Sequence, residues 1–174
     1  VIRAAQGNPV SDFGLRRAQG PDGGLAVARA SYIAGASSTS NVLAGKIYGI
    51  PVFGTHAHSW VMSFSTELEA FRAFARSFPK NCALLLDTYD VHEGIKNAII
   101  VGKEMEERGE KLGAVRIDSG DLAKLAKEAR AAFDDAGLPY VKISVSNDLD
   151  EYTIQSLFAQ GAPIDYFGVG TKLS

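Results

Sequence analysis

The sequence predicts an α/β fold, an irregular and incomplete (β/α) barrel, from three observations. Short apolar or β-branched runs return at intervals of roughly 25 to 30 residues, the length of one strand–helix unit. Each run ends in Gly, Asp, Ser, Asn or Thr, the residues with which strands hand over to loops. The segments between the runs carry the period of amphipathic helices.

The first candidate strand lies within PVSDFGLRR (9–17). GASSTSN (35–41) offers hydroxyls to anionic oxygens or simply starts a helix leading into VLAGKIYG, and the helix start is favoured. IYGIPVFGT (47–55) reads as the next strand, and TELEAFRAFARSF then puts Leu68, Phe71, Phe74 and Phe78 on one helical stripe. CALLLD (82–87) is a strand, Gly109 a helix stop, and AVRID (114–118) a further strand. GDLAKLAKEARAAFDDAG sets Leu122, Leu125, Ala129 and Phe133 opposite its charges and stops at Gly137. VKISVSND (141–148) and IDYFGVGT (164–171) complete the set as buried parallel strands. Five clear strands and the one at 9–17 fall short of the eight of a closed barrel, so residues 1–174 read as one open barrel unit. A doubly wound open sheet has the same periodicity and stays as the alternative. The opening VIRAAQG resembles the tail of a helix and GVGTKLS stops where a helix is due, so a longer protein is expected.

Composition narrows the function classes. With 174 residues, 46% hydrophobic and 22% charged, the chain can bury a substantial core. A formal charge of -2 supplies no global field to recruit nucleic acid or an anionic membrane. The single cysteine, Cys82, cannot form an intrachain disulfide, and no apolar run approaches the roughly 18 residues of a membrane span. A cytoplasmic protein is expected.

In both candidate architectures ligands bind at the carboxyl ends of the strands. The polar residues there are Thr55 and His58, Asp87 and Thr88, Asp118, Ser119 and Asp121, Ser146, Asn147 and Asp148, then Gly168, Gly170 and Thr171. Carboxylates and hydroxyls on one rim suit a hydroxylated, phosphorylated ligand with Mg²⁺, because hard cations take oxygen ligands. The competing reading of each Asp, Ser or Asn is a helix cap. GVGT (168–171) can present backbone N–H groups to a phosphate, or its glycines can serve close packing. Arg16 and Arg17 bring guanidinium forks suited to a carboxylate or phosphate; on an extended segment they point to opposite sides. In GTHAHSWVMSF (54–64), His56 and His58 lack the further Cys or His of a zinc set, since His92 stands apart. Proton transfer and covalent catalysis both stay open for them.

Taken in order, FGLRRAQGPDGG, SSTSNVLAGK, GTHAHSWVMSF, LLDTYD, VRIDSGDL, SNDLDE and FGVGTKL resemble the nicotinate phosphoribosyltransferase family over essentially the whole chain. The resemblance implies the type II phosphoribosyltransferase fold, an irregular α/β barrel preceded by an amino-terminal domain. It also implies condensation of nicotinate with phosphoribosyl pyrophosphate to nicotinate mononucleotide and pyrophosphate, coupled to ATP hydrolysis with Mg²⁺. The coupling in the family phosphorylates the histidine of a Gly-Thr-x-x-His motif, which here is His58, leaving His56 in the variable position, where it could orient its neighbour by hydrogen bonding. Arg16 matches the anchor for the nicotinate carboxylate or a nearby phosphate. Asp118, Ser119 and Asp121 match the residues around ribose and pyrophosphate–Mg²⁺, with Asp87 and Asn147 as further substrate contacts and Asp118 and Asp121 as metal candidates. Gly168, Gly170 and Thr171 match the nucleotide-phosphate loop. Subunits of the family pair so that one completes the other's site, which implies a homodimer. The family's amino-terminal domain and the chain beyond GVGTKL are not in this sequence. Quinolinate phosphoribosyltransferase shares the fold but lacks the histidine motif, nicotinamide phosphoribosyltransferase would take a neutral amide, and a non-catalytic fragment that binds phosphate or a sister subunit is the third competitor.

Overall fold

The computed structural model describes all 174 residues. Six strands run in chain order: β1 (Val10–Asp12), β2 (Ser38–Thr39), β3 (Ala83–Leu85), β4 (Ala114–Ile117), β5 (Lys142–Val145) and β6 (Tyr166–Val169). Between them lie α1 (Gly20–Ile33), α2 (Val42–Tyr48), α3 (His58–Val61), α4 (Glu67–Ser77), α5 (Val91–Glu107), α6 (Leu122–Asp135) and α7 (Glu151–Ala159). The hydrogen-bonding order is β2-β1-β6-β5-β4-β3. This is the α/β succession that the sequence predicts, with two strands fewer than the eight of a closed barrel. No helix is long and apolar enough to cross a membrane.

The chain divides into two compact units, Val1–Gly54 with Val145–Ser174, and Thr55–Ser144. In the first, β1 lies between β2 and β6 and is parallel to both, with Asp12 opposite Thr39 on one side and Val169 on the other. Val10, Ile154, Leu157, Phe167 and Val169 form its apolar interior. Asn41 caps α2 by accepting from the Ala44 N–H, which satisfies one of the free donors of the first turn. That cap corrects one expectation. Residues 47–55 do not form a strand, because the helix started at Asn41 runs through Ile47 and Tyr48 to Gly49. Pro51 then lacks an N–H for a ladder, and only Val52 makes a single bridge, to Thr39. The two-residue strand β2 is too short to show a period, and the sequence does not reveal it.

In the second unit β3 and β4 are parallel, with Leu84 opposite Val115. Leu84, Leu85, Leu86, Val115, Ile117, Phe71, Phe133 and Ile143 are fully buried, each worth about 1.5–3 kcal/mol in transfer from water. The α4 stripe runs as expected through Phe71 and Phe74, but the helix ends at Ser77 and leaves Phe78 half exposed. Gly109 and Gly137 follow α5 and α6 with positive φ, where the sequence places the stops. Thr66, Asp90 and Asp121 cap α4, α5 and α6 through their side chains. Near its start α5 presses directly on the end of β3: a Cβ on Gly94 would lie 2.0 Å from the Leu86 carbonyl oxygen. Only glycine allows that approach.

Candidate active site

The carboxyl ends of β3 and β4 and the segment before α3 build one cluster within the second unit. His58 opens α3, and its Nδ1 lies 3.1 Å from the Thr88 hydroxyl just past β3. Its Nε2 faces Asp118, just past β4, at 3.7 Å. Asp118 in turn accepts from Arg116 at 3.0 Å, and a second nitrogen of that guanidinium donates to the Thr55 hydroxyl at 3.0 Å. Asp87 accepts through Oδ2 from the Asp118 N–H at 2.9 Å and from the Ser119 hydroxyl. Its other oxygen, Oδ1, is buried with no hydrogen-bond partner. A buried carboxylate oxygen left unpaired is costly. His58 is substantially exposed while Arg116 is mostly covered, so the imidazole opens to solvent above a charged floor.

Of the residues that the sequence singles out, His58, Asp87, Asp118 and Ser119 therefore come together. Asp121 stands apart from their hydrogen bonds: its Oδ1 accepts from the Lys124 N–H as the cap of α6, the competing reading of its chemistry. Arg116 is the residue that sequence reasoning misses. A signal exists, since a lone arginine stands between the fully buried Val115 and Ile117, and a charge inside an apolar parallel strand needs partners. His56 behaves unlike its neighbour. It is 6% exposed, packs against Phe71 and Phe74, and accepts from the Leu85 N–H through Nε2 at 3.2 Å. Burial holds its pKa down at about 4, an effect that the Ala57 carbonyl partly opposes and the charges of Arg116 and His58 reinforce. It makes no hydrogen bond to His58, so the direct orientation that the sequence allows is replaced by a link to β3.

The first unit carries the other candidates, also at strand ends. Asp12, at the end of β1, is buried and doubly satisfied by the Gly14 N–H at 2.8 Å and the Thr39 hydroxyl at 2.7 Å. It fixes the start of the next segment, a 3-10 turn over Leu15–Arg17 rather than an extended stretch. Neighbouring side chains on such a turn fan about 120° apart, so Arg16 and Arg17 diverge without opposing each other. Both are exposed and neither makes an ion pair. Gly168 is explained by packing, since a Cβ there would sit 2.3 Å from the Phe13 ring. Thr171 donates its hydroxyl to Asp148 at 3.0 Å. Asn147 and Asp148 both hold positive φ, 100° and 48°, a backbone that non-glycine residues adopt at a cost and that recurs at binding sites. No three acidic, imidazole or thiol groups gather as a metal cage.

Comparison with known proteins identifies the family. The family model for the nicotinate phosphoribosyltransferase (NAPRTase) family matches residues 9–174. The chain is 53% identical over 173 residues to nicotinate phosphoribosyltransferase pncB2 of Mycobacterium tuberculosis, covering 99% of this chain and 37% of that protein. It is 49% identical to the nicotinate phosphoribosyltransferase of Bacillus subtilis, with 99% and 35% covered. Among solved structures, human nicotinic acid phosphoribosyltransferase superposes with a TM-score of 0.87 at 34% identity, over 97% of this chain and 46% of that one. Nicotinate-nucleotide pyrophosphorylase from Pyrococcus furiosus gives 0.83 at 28%, over 98% and 43%. The chain thus spans little more than a third of the length of these curated relatives. It belongs to the nicotinate phosphoribosyltransferase family.

Proposed function

We propose that this chain is the barrel portion of an enzyme that condenses nicotinate with phosphoribosyl pyrophosphate, giving nicotinate mononucleotide and pyrophosphate for NAD biosynthesis, with ATP hydrolysis coupled to the reaction. The relatives' names support the substrates. The observation that carries the reading is the seat of His58, the last residue of Gly-Thr-x-x-His, exposed between the Thr88 hydroxyl and the Asp118 carboxylate.

In this reading an imidazole nitrogen of His58 takes the γ-phosphoryl group of ATP; the N–P bond forms as the bond to ADP breaks. Thr88 and Asp118 hold the ring from two sides, and Arg116 places positive charge where phosphoryl oxygens arrive. The pyridine nitrogen of nicotinate attacks the anomeric carbon as pyrophosphate leaves, and it needs no added base. Arg16 and Arg17, unpaired at the end of β1, take carboxylate or phosphate, and Gly170 and Thr171 the nucleotide phosphate. Asp118 and Ser119, joined through the Asp87 carboxylate, contact ribose and pyrophosphate. The donor set fits a Mg²⁺ carried in on a polyphosphate, which needs only one or two protein carboxylates, and the unpartnered Asp87 oxygen is one available contact beside Asp118. Held there by Asp118, the ion would supply positive charge to the leaving pyrophosphate. A cytoplasmic homodimer with a shared site completes the proposal. It is supported by the buried Cys82, whose thiol burial pushes up to about 12, and by the exposed Ile33, Val42 and Ile47 on α1 and α2.

The test is phosphoryl labelling of the full-length protein. With γ-labelled ATP and Mg²⁺, label should enter an acid-labile, alkali-stable bond, and His58→Asn should abolish it while leaving slow phosphoribosyl transfer. Label that persists in His58→Asn sinks the assignment.

A further inference from the structure

We propose that His56 is a positioning residue for His58: its imidazole fastens the histidine loop to β3 through the Leu85 N–H, in the place where a neighbouring strand would pair. The inference rests on the reading of His58 as phosphoryl acceptor. β3 closes the strand order, so one of its sides has no neighbouring strand. In a parallel strand alternate N–H groups face opposite sides. Leu86 donates to the Arg116 carbonyl on β4 at 3.0 Å, which turns the Leu85 N–H outward, to the open edge. There it meets His56 Nε2 at 3.2 Å in a buried setting.

An exposed strand edge is normally blocked by a charge, a bulge or a covering loop. Here one side chain does it, and the chemistry dictates its state. To accept from an amide, Nε2 must carry its lone pair, so the ring proton sits on Nδ1, 3.4 Å from the Ala57 carbonyl. The groups that bear on the ring are Arg116 and His58, both cationic or potentially so, and the rest of its surroundings are Phe71 and Phe74. These favour the uncharged ring and outweigh the Ala57 carbonyl, which favours the charged one. Both nitrogens are thereby occupied without any bond to His58, which excludes a proton relay between the two histidines.

The consequence for His58 is geometric. Only Ala57 separates the two histidines, and the segment is pinned to the β3 end twice, at Leu85 by His56 and at Thr88 by His58. Remove the first pin and the second must hold the loop alone. An error of about 1 Å in an attacking atom costs as much as 100-fold in rate.

The experiment uses the full-length protein with His56→Leu, which fills the apolar space but accepts no hydrogen bond, and His56→Gln, whose amide oxygen reaches the Nε2 position. Expected for His56→Leu are faster hydrogen exchange at the Leu85 amide and His58 phosphorylation slowed by roughly 10-fold or more, with ATP-independent phosphoribosyl transfer changed far less. His56→Gln should restore both. Phosphorylation at the wild-type rate in His56→Leu, or no rescue by a natively folded His56→Gln, overturns the proposal. Should His56→Leu not fold, His56→Asn replaces it: its shorter amide stops short of Leu85, and a Gln variant phosphorylated no faster than the Asn variant also overturns it. If the wild-type protein never takes label, the acceptor reading has failed on its own, and the pin is judged by hydrogen exchange at the Leu85 amide: exchange faster in the Leu variant and restored in the Gln variant supports the pin, and exchange identical in all three refutes it.

Discussion

Replacing Gly94 with alanine tests the closest approach in the second unit. The added Cβ would lie 2.0 Å from the Leu86 carbonyl oxygen, 2.8 Å from its carbon and 3.0 Å from its Cα. A carbon and a carbonyl oxygen come no nearer than about 3.3 Å even in favourable contacts, so α5 must retreat by more than about 1 Å or the end of β3 must move. The obstacle is backbone, which cannot rotate away. Overpacking of this kind costs about 1–3 kcal/mol, and the upper end applies; alanine's better helix propensity returns roughly 1 kcal/mol. The net loss is about 2 kcal/mol, seen as a lower thermal midpoint. Leu86 immediately precedes Asp87, so the displacement should also loosen the bonds from Asp118 and Ser119 to the Asp87 carboxylate and lower kcat/KM. Thermal unfolding and steady-state kinetics of the full-length variant read both effects. A variant as stable as the wild type, or more so, would show that helix propensity outweighs the clash and that α5 does not fix the position of Asp87.

Acid should weaken the second unit through His56. Its folded pKa of about 4 lies below the ordinary histidine value of 6.5, so the unfolded chain takes the proton first; the stability is full above pH 6.5 and is lost as pH falls toward 4. About 2 kcal/mol should disappear between pH 7 and pH 5, seen as a lower urea midpoint, and an equal fall in His56→Gln would refute the assignment. Asp118 and Asp121 should separate: Asp121→Asn keeps a good cap and leaves the thermal midpoint unchanged while Asp121→Ala costs about 1 kcal/mol, whereas Asp118→Asn loses its charged bond to Arg116 and should weaken phosphoribosyl pyrophosphate binding by about 1–3 kcal/mol. Calorimetric titration that finds full affinity in Asp118→Asn would remove that residue from the site.

The legibility of this chain in its sequence followed physical range. β3, β4, β5 and β6 could be read because parallel strands buried on both faces are near-continuous apolar runs, and CALLLD, AVRID and the later two are such runs. IYGIPVFGT has the same look, yet its outcome was decided upstream, by the Asn41 cap and a helix that consumed its first residues. His58, Asp87, Asp118 and Ser119 could be gathered because strand ends share one rim, a rule of topology that needs no coordinates. Arg116 escaped because its place was counted as strand interior, and its partners Thr55 and Asp118 are a matter of which way the side chain turns. His56 was singled out, but its link to Leu85 escaped for a stronger reason: the partner is a backbone N–H 29 residues away, on an edge that only the strand order reveals. Asp121 was visible in both of its readings, and local spacing alone could not rank them.

The discontinuity of the first unit has a consequence for how the chain comes off the ribosome. Thr55–Ser144 is one continuous stretch, so all its internal contacts exist as soon as that stretch has emerged. β1 has no such fortune: its partner β6 lies beyond that stretch, with Val10 opposite Phe167. At about 5–20 residues per second, β1 waits on the order of 8–30 s for β6, holding only the short β2 meanwhile. During that interval the waiting edge of β1 is a template for any strand within reach, including one from a neighbouring nascent copy. Synthesis should therefore order the events, with the unit that holds His58 consolidating while the unit that holds Arg16 and Thr171 is still open.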